Sequence, residues 1–326
     1  MNELAVPVRT RPLRPTDARL AAAWMKAEWP IPLRLARGLD QWLAGLIGED
    51  RIRGGCIEEL APRSGEWSLA AIGLSAFVPD GFVDAFLSAP SPFPALQVLG
   101  RVREGERDLL HGPAAIARGN AGRGLNQLTI YYGQSTKDPA DPAWRRILPA
   151  SHKLHREVHG GYRMHRLLQD EWTLNEPVFV YAGYKVLARF EAGTPGPFDT
   201  GPLAAPRSLV SLCADDVAGG LPGTTASFLF EYRPPLLRLT TAERRLLVHA
   251  AAGLTDEEIA AALALSTNTL KSTWRQIYAR FDRSAPFVLR KESASETARH
   301  RGPEKRRRVV AYVDEHPQEL RPYAWE

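Results

Sequence analysis

Four histidines lie close together in the segment SHKLHREVHGGYRMH, at His152, His155, His159 and His165. Residues three and four apart share one side of a helix, so the first three imidazoles would line one face. Such a face can bind zinc or a similar metal ion. No carboxylate or cysteine completes a ligand set here, so we predict no metal site and interpret the segment as a basic helix surface.

The segment ARGNAGRGLN (117–126) is rich in glycine and is a candidate phosphate-binding loop. With VRTRPLRPTDARLAAAW near the start, it resembles the GNAT-type acetyltransferases. Their pyrophosphate loop places Gln or Arg, two residues, Gly, one residue and Gly or Ala before a helix. Gly122 and Gly124 match the glycines, but Gly119 stands where Gln or Arg is expected, and the strand-like LNQLTIYYG follows. An acyltransferase domain is therefore the alternative function, and a structural turn is the competing interpretation.

The segment SLVSLCADD ends in Asp215 and Asp216, an acidic pair after a strand as in receiver domains. Too few residues follow before the next predicted domain for a receiver to fit. The sequence also shows no nucleophile with a base at motif spacing and no Walker-type loop. The N-terminal part is thus not recognised, and its ligand, if it has one, stays open.

Composition describes an ordinary globular chain. It has 326 residues, 44% hydrophobic and 24% charged, with a formal net charge of +5. The two cysteines, Cys56 and Cys213, form no CxxC motif, which favours a reducing compartment. No apolar run approaches the roughly 20 residues of a membrane helix. We predict a cytoplasmic protein with no membrane partner.

Local patterns predict an α+β or α/β domain with a mixed sheet over residues 1–232. Predicted strands are WSLAAIGLSAFV, LNQLTIYYG, PVFVYAGYKVLARF, SLVSLC and ASFLFEY. Predicted helices are Asp17 to Trp29, Leu33 to Ile47, Pro142 to Glu157 and Tyr162 to Trp172. The strand signal ends at YRPP (232–235), so a small all-α helix-turn-helix domain is expected at 236–290, followed by a basic helical extension at 291–326.

Three helix starts follow one another in this second domain. Thr240 with Glu243, and Thr255 with Glu258, fit capping boxes, and Ser266 can cap a third helix. On a wheel of the third helix, 267–281, one narrow stripe faces the core: Leu270, Trp274, Ile277 and Phe281. The outward face is suited to phosphate and base contacts in a major groove and carries Asn268, Lys271, Ser272, Arg275 and the small Ala279. Thr269 is a further candidate DNA-binding residue.

Residues 239–283 resemble the LuxR-type helix-turn-helix domain. The matching positions are Leu239–Thr240, Glu243, Ala251, Gly253, Glu258–Ile259–Ala260, Leu263, Ser266, Thr269–Leu270–Lys271 and Ile277. The resemblance implies DNA contact through Lys271, Ser272 and Arg275. The chain departs from the family at Thr273 and Trp274, and at Asp256–Glu257, where a basic pair is usual. A sigma-factor-like promoter-binding protein has a related pattern and is a further alternative.

These observations predict a bacterial, non-enzymatic DNA-binding transcriptional regulator. Its recognition helix would enter the major groove, and residues 1–232 would serve as a sensory or dimerisation domain. The expected partners are double-stranded DNA, a second copy of the chain in a homodimer, and RNA polymerase. No cofactor is predicted, although a small-molecule ligand of the N-terminal domain is left open. The basic segment 299–308 has no assigned role.

Overall fold

A mixed β-sheet organises the N-terminal part of the chain. The computed structural model describes residues 6–61, 64–138, 140–220, 223–224, 226–289 and 301–325. Seven strands pair within these residues in the order β1-β2-β3-β4-β5-β7-β6. The strands are β1 Val8–Pro12, β2 Arg53–Leu60, β3 Trp67–Val78, β4 Leu125–Gln134, β5 Met164–Trp172, β6 Lys185–Phe190 and β7 Arg207–Cys213. All neighbours are antiparallel except β4 and β5, which are parallel. The predicted α+β class with a mixed sheet is confirmed.

Helices cover both faces of this sheet. They are α1 Ala18–Glu28, α2 Leu33–Ala36, α3 Leu39–Gly48, α4 Asp80–Ser88, α5 Pro94–Arg103, α6 Pro113–Ala121, α7 Pro142–His159, α8 Glu176–Tyr181 and α9 Ala214–Ala218. Helices α1, α3 and α5 bury Met25, Leu43 and Leu96 in the largest apolar cluster, on one face of the sheet. On the other face, α7 packs Ile147 and Leu154 against β2 and β3. Each face is apolar where a helix crosses it, as a layered domain requires.

Several predicted elements differ in the structure. The stretch predicted as the helix Tyr162 to Trp172 contains β5, a strand paired on both sides along part of its length. The predicted strand PVFVYAGYKVLARF begins as α8 and becomes β6 only at Lys185, and ASFLFEY contains a short 3-10 helix at Ser227–Phe230. The predicted helix Leu33 to Ile47 is broken at Gly38, whose φ of +59° is left-handed.

A second apolar cluster holds the C-terminal helices together. They are α10 Thr241–Ala251, α11 Asp256–Ala262, α12 Thr267–Ser284, α13 Pro286–Leu289 and α14 Arg301–Glu315. The side chains of Thr240, Thr255 and Ser266 cap α10, α11 and α12 by accepting from the third backbone amide of each helix. Helix α14 adds Val309, Tyr312 and Val313 to this cluster.

The segment after α14 links the two clusters. Glu319 accepts hydrogen bonds from the backbone amides of Leu236 and Leu237 at 2.8 and 2.9 Å. Arg321 donates from Nε to the carbonyl oxygen of Gly160 at 2.8 Å, at the end of α7. The backbone amide of Ala324 donates to the carbonyl oxygen of Ala117 in α6 at 3.1 Å. Residues 316–325 therefore contact both the sheet domain and the helical unit.

Among the described residues, none of the helices has the length and apolarity needed to span a bilayer.

Candidate functional site between the diverging strands β4 and β5

The parallel strands β4 and β5 pair only at their beginnings. Their register runs from Leu125 opposite Met164 to Leu128 opposite Leu168. Beyond this point, within the described residues, β4 pairs with β3 alone and β5 with β7 alone. The register of β3 with β4 passes from Ser75 opposite Thr129 to Leu74 opposite Tyr131, so Ile130 is the extra residue of a bulge. The bulge bends β4 where the two strands separate, and one backbone edge of each strand faces the gap.

A cavity of about 450 Å³ occupies this gap and extends beneath α7. Apolar side chains from α7 and α8 form much of its wall, including Leu148, Leu154 and Phe179. Gly73 of β3 leaves part of its floor open, whereas Leu154 packs directly on Gly55 of β2. A concave apolar space with a few fixed polar groups is the usual form of a small-molecule site.

A row of hydrogen-bonded polar side chains crosses the sheet at the mouth of the gap. Gln127 donates from Nε2 to Thr129 Oγ1 at 3.1 Å, and Thr129 donates to Gln169 Oε1 at 3.0 Å. Gln169 then donates to Glu171 Oε2 at 3.2 Å, and Asn175 donates to Glu171 Oε1 at 3.2 Å. The row connects β4 to β5 through side chains where their backbones no longer pair, and it ends on a carboxylate.

A buried ion pair fixes the opposite face of β5. Arg207, only 2% exposed, donates from Nε to Asp170 Oδ1 at 2.8 Å, and the amide of Phe93 donates to Asp170 Oδ2 at 2.6 Å. The guanidinium also lies over the rings of Phe93 and Trp172, at 4.3 and 4.5 Å from their centroids. Burial raises the pKa of Asp170 to about 6, although Arg207 acts in the opposite direction. The pair joins β5 to β7 and to the loop before α5.

Tyr131 places a buried hydroxyl beside the gap. The side chain is fully buried, and its hydroxyl has no hydrogen-bond partner among the described residues. Burial, with a smaller effect of nearby Glu28, raises the pKa of Tyr131, so the phenol remains protonated at neutral pH. It is available to donate to a polar atom that enters the cavity.

The histidine segment contributes to the same cavity. His152, His155 and His159 lie on α7 and line it. His159 Nε2 lies 2.6 Å from Ser75 Oγ, and the His155 and His159 rings are 4.3 Å apart between centroids. His155 Nε2 is buried without a hydrogen-bond partner among the described residues. Burial lowers the pKa of His155 to about 4 and, with His155 nearby, lowers the pKa of His159 well below its ordinary value. Across the described ranges, no three His, Cys, Asp or Glu residues form a group that could hold a metal ion.

The glycine-rich segment lies at the wrong end of β4 for the candidate phosphate-binding loop. Gly122 ends α6 and Gly124 comes just before β4 begins, whereas the strands separate after Leu128. Gly124 has φ +110°, and a Cβ there would lie 3.0 Å from backbone atoms of Arg163 and His165. A Cβ at Gly119 would lie 2.3 Å from the Leu125 side chain. Packing and a left-handed turn explain these glycines, so the structural turn is the correct interpretation.

The acidic pair after β7 also has a structural role. Asp216 accepts from the backbone amide of Cys213 at 3.1 Å and forms an ion pair with Lys185. These contacts cap the short helix α9 and tie it to β6.

The predicted recognition helix is α12. Its buried residues are Leu270, Trp274, Ile277 and Phe281. The residues predicted to contact DNA are all exposed: Asn268, Thr269, Lys271, Ser272 and Arg275. The backbone amide of Thr269 donates a hydrogen bond to Ser266 Oγ at 3.1 Å, as part of the cap at the start of α12.

The unusual acidic residue at the start of α11 has internal partners. Asp256 accepts from Trp274 Nε1 at 3.2 Å and forms an ion pair with Arg306 of α14 at 2.9 Å. The Arg306 guanidinium lies 5.4 Å from the Trp274 ring centroid. Arg306, from the basic extension, therefore packs against the helical unit; Arg299 lies outside the described residues.

No family model and no curated protein matches the sequence. Similar solved structures include NAA60 from Arabidopsis thaliana in complex with acetyl-CoA, at 12% identity over 64% of this chain and 99% of that chain, with a TM-score of 0.35. A variant of the spermidine N-acetyltransferase SpeG from Vibrio cholerae has 10% identity over 63% of this chain and 93% of that one, with a TM-score of 0.34. FeeM, an N-acyl amino acid synthase from uncultured soil microbes, has 13% identity over 70% of this chain and 99% of that chain, with a TM-score of 0.32.

These neighbours correct the functional prediction. A non-enzymatic LuxR-type transcriptional regulator was expected, yet the similar structures are an acetyl-CoA complex, an N-acetyltransferase and an N-acyl amino acid synthase. The motif behind that prediction covers only the C-terminal helices and carries no information about the sheet domain, where the cavity lies. The likeness is distant, and no donor, substrate or residue role is transferred from those proteins to this chain.

The residues of the cavity were largely missed by sequence reasoning. Gln127 and Thr129 alternate along LNQLTIYYG, a strand that was predicted, but their partners Gln169 and Glu171 fall in a stretch predicted as helix. Ser75 and His159 are 84 residues apart, so no motif spacing could join them.

Proposed function

We propose that the N-terminal domain is an acyltransferase of the GNAT type, which moves an acyl group from a pantetheine-linked thioester to an amine. The observation that carries the proposal is the gap between β4 and β5, with its unpaired strand edges, its polar row and its apolar cavity.

The strand edges suit the donor. A pantetheine arm is an extended chain with two amide groups, and an extended amide chain can pair with an open strand edge as an added strand would. Beyond Leu128 and Leu168, β4 and β5 present such edges on opposite sides of the gap. A donor lying along them would place its thioester near Thr129, where the strands begin to separate, and its acyl chain in the apolar space beneath α7.

Glu171 is the candidate base. It accepts hydrogen bonds from Gln169, Asn175 and its neighbour's amide, and it forms no ion pair with a described basic side chain. As the amine nitrogen attacks the acyl carbon, the bond from that carbon to its leaving group breaks, and Glu171 accepts the amine's proton directly or through one water molecule. Such a positioned base contributes about 10²- to 10⁴-fold to a rate.

The chain does not offer the glycine-rich pyrophosphate loop of the GNAT pattern at this gap. The connection from β4 to α7, residues 135–141, is STKDPAD and contains no glycine. Asp141 caps α7 by accepting from the amide of Ala143 at 2.8 Å, which places a carboxylate where an anion would otherwise bind. The donor is therefore recognised through its pantetheine and acyl parts.

This proposal predicts weak discrimination between two donors. An acyl-pantetheine, which lacks the nucleotide and pyrophosphate, should retain kcat/KM within about tenfold of the matching acyl-CoA, a difference below about 1.4 kcal/mol. Steady-state thiol release with both donors measures the ratio. A loss of several orders of magnitude on removing the nucleotide would show a pyrophosphate site that this geometry lacks.

Amine-dependent thiol release tests the activity itself. Full-length protein is mixed with a panel of acyl thioesters and amines, and free thiol and amide product are both measured. Glu171→Gln should lower kcat by about 10²-fold or more, and the exposed Glu66→Gln should behave as the wild type. Absence of thiol release across the panel, or an unaffected Glu171→Gln variant, would contradict the proposal.

The C-terminal helices form an accessory unit in this proposal. The residue matches over 239–283 support a LuxR-type arrangement of α10, α11 and α12. Contact with double-stranded DNA or RNA polymerase and the homodimer stay predictions. The cytoplasmic location also remains a prediction.

A further inference from the structure

Ser75 and His159 form a close hydrogen-bonded contact at the base of the cavity. The Ser75 Oγ to His159 Nε2 distance is 2.6 Å, and both residues line the cavity. Ser75 lies on β3 and His159 is the last residue of α7, so the contact joins the floor of the cavity to the helix above it. Each residue is 3% exposed.

The direction of this hydrogen bond follows from the other ring nitrogen. His159 Nδ1 lies 2.9 Å from the carbonyl oxygen of His155, which can only accept. Nδ1 therefore carries the proton, and Nε2 is left as an acceptor. The hydroxyl of Ser75 must be the donor to Nε2, since its other acceptor, the carbonyl oxygen of Arg53, is more distant at 3.4 Å. A hydroxyl that donates to an imidazole oriented by a third group is the arrangement of an activated nucleophile.

The position of Ser75 relates this contact to the proposed donor site. Ser75 is paired across the sheet with Thr129, the first residue of β4 beyond its pairing with β5. Paired side chains on one face lie about 4.5–5.5 Å apart at their Cβ atoms. A thioester carbonyl held near Thr129 is therefore within reach of Ser75 Oγ.

A cation lies on the other side of Ser75. Arg53 of β2 is its pairing partner, and the guanidinium Nε and Nη1 atoms are buried with no hydrogen-bond partner among the described residues. The guanidinium lies over the rings of Phe77 and Tyr162, at 4.5 and 5.2 Å from their centroids. Buried donors of this kind favour negative charge on a neighbouring oxygen.

From this geometry we infer that Ser75 is a nucleophile that accepts the acyl group as an ester before it passes to the amine, with His159 as its base. The inference deepens the proposed acyltransferase and rests on it for the natural donor. In the first step, Ser75 Oγ bonds to the thioester carbon while its proton passes to His159 Nε2. The carbon–sulfur bond breaks, and the thiolate takes that proton and leaves as a thiol. In the second step, the amine nitrogen attacks the ester carbon and its proton passes to Glu171 as the ester carbon–oxygen bond breaks. Ser75 Oγ takes a proton from water through His159, Glu171 returns its proton to water, and the amide is released.

Acyl labelling of Ser75 tests this inference. Full-length protein is mixed, without amine, with either octanoyl-pantetheine or p-nitrophenyl octanoate, quenched in acid, digested and examined by mass spectrometry. The expected result is one acyl group on the peptide that contains Ser75, which disappears when an amine is added before the quench. Ser75→Ala should lose the label and lower kcat on the order of 10³-fold. Ser68 is an exposed serine on the same strand, and Ser68→Ala should keep both the acyl label on Ser75 and the wild-type kcat.

Two further variants separate chemistry from folding. Ser75→Cys keeps a nucleophile of similar size and should carry the acyl group as a thioester, so a label on it would show that the site is intact. His159→Gln should lose most of the labelling rate while its circular dichroism spectrum matches the wild type.

The two probes distinguish failure of this inference from failure of the proposed function. Amide formation from the thioester with Ser75 unlabelled and Ser75→Ala fully active would overturn the nucleophile and leave the acyltransferase standing. Labelling of Ser75 by the phenyl ester without any thiol release from thioesters would support the nucleophile and overturn the proposed donor. No label from either probe together with no thiol release from thioesters would overturn both.

Discussion

At the scale of single residues, breaking the buried contact between Arg207 and Asp170 should cost more than breaking an exposed ion pair. Removing the guanidinium would leave an uncompensated carboxylate whose side chain is 6% exposed. Arg207→Met should lower the free energy of unfolding by about 3–5 kcal/mol. Arg189→Met, which breaks the pair of Arg189 with Glu176 where the arginine is 57% exposed, should cost under about 1 kcal/mol. Urea denaturation of both variants measures the difference, and equal losses would contradict this description of β5.

The histidines of α7 make stability depend on pH in a defined direction. The ordinary pKa of histidine is 6.5, and burial lowers the pKa of His155 to about 4. Between these values the unfolded chain binds a proton that the folded chain does not, so stability rises with pH across this window and is lost as pH falls through it. The loss reaches about 3 kcal/mol for His155. Denaturation at several pH values measures how the free energy of unfolding changes with pH. This dependence should be weaker in His155→Gln than in the wild type, and an equal dependence would contradict the assignment to His155.

At the scale of elements, the open floor of the cavity is set by Gly73 on β3. A Cβ at Gly73 would make only an ordinary contact, 3.8 Å from Tyr132 Cδ2, so the backbone tolerates a side chain that projects into the cavity. Gly73→Val should leave the protein folded but reduce kcat/KM about tenfold or more for long acyl chains and less for acetyl, since overpacking costs about 1–3 kcal/mol. The exposed Ser68→Val on the same strand is the matched control. An equal effect for all chain lengths would place the acyl group elsewhere.

The sequence was informative about elements whose pattern is local. The helices α1, α7, α10, α11 and α12 follow from apolar spacing and caps, and β3, β4 and β7 follow from apolar runs. Strand β5 was mistaken for a helix because Met164, Leu167 and Leu168 have helical spacing, although they divide between the two faces of a central strand. Its polar residues Gln169 to Glu171 lie where β5 no longer pairs with β4. This separation depends on long-range strand pairing, which a local sequence pattern does not show.

The candidate site was less predictable than the fold for the same reason. Its polar row combines two strands, and its serine and histidine come from a strand and the end of a distant helix. The glycine-rich segment gave a misleading signal because glycine composition does not show which end of a strand a loop occupies. The resemblance of the C-terminal helices was local and clear, but it described a part of the molecule that does not contain the cavity.

At the scale of the whole molecule, the last residues connect the helical unit to the sheet domain. Arg321 donates to the carbonyl oxygens of Gly160 and Glu157 at 2.8 and 2.9 Å, directly after His159 and at the end of α7. Arg321→Ala should lower the free energy of unfolding by about 1–3 kcal/mol, because the hydrogen bonds of the guanidinium are lost. It should also replace a single calorimetric unfolding transition by two. Arg245→Ala, at an exposed position of α10, should retain a single transition. A single unchanged transition in both variants would show that this link does not couple the two units.

The location of donor binding tests the central claim most directly. A non-reactive thioether analogue of octanoyl-pantetheine is added to the full-length protein, and amide hydrogen exchange is measured along the chain. Slower exchange should appear in 129–134 of β4 and 169–172 of β5, where strand edges face the gap, while 267–284 of α12 stays unchanged. Protection confined to α12, or absent from both strand segments at saturating analogue, would contradict a thioester site between the diverging strands.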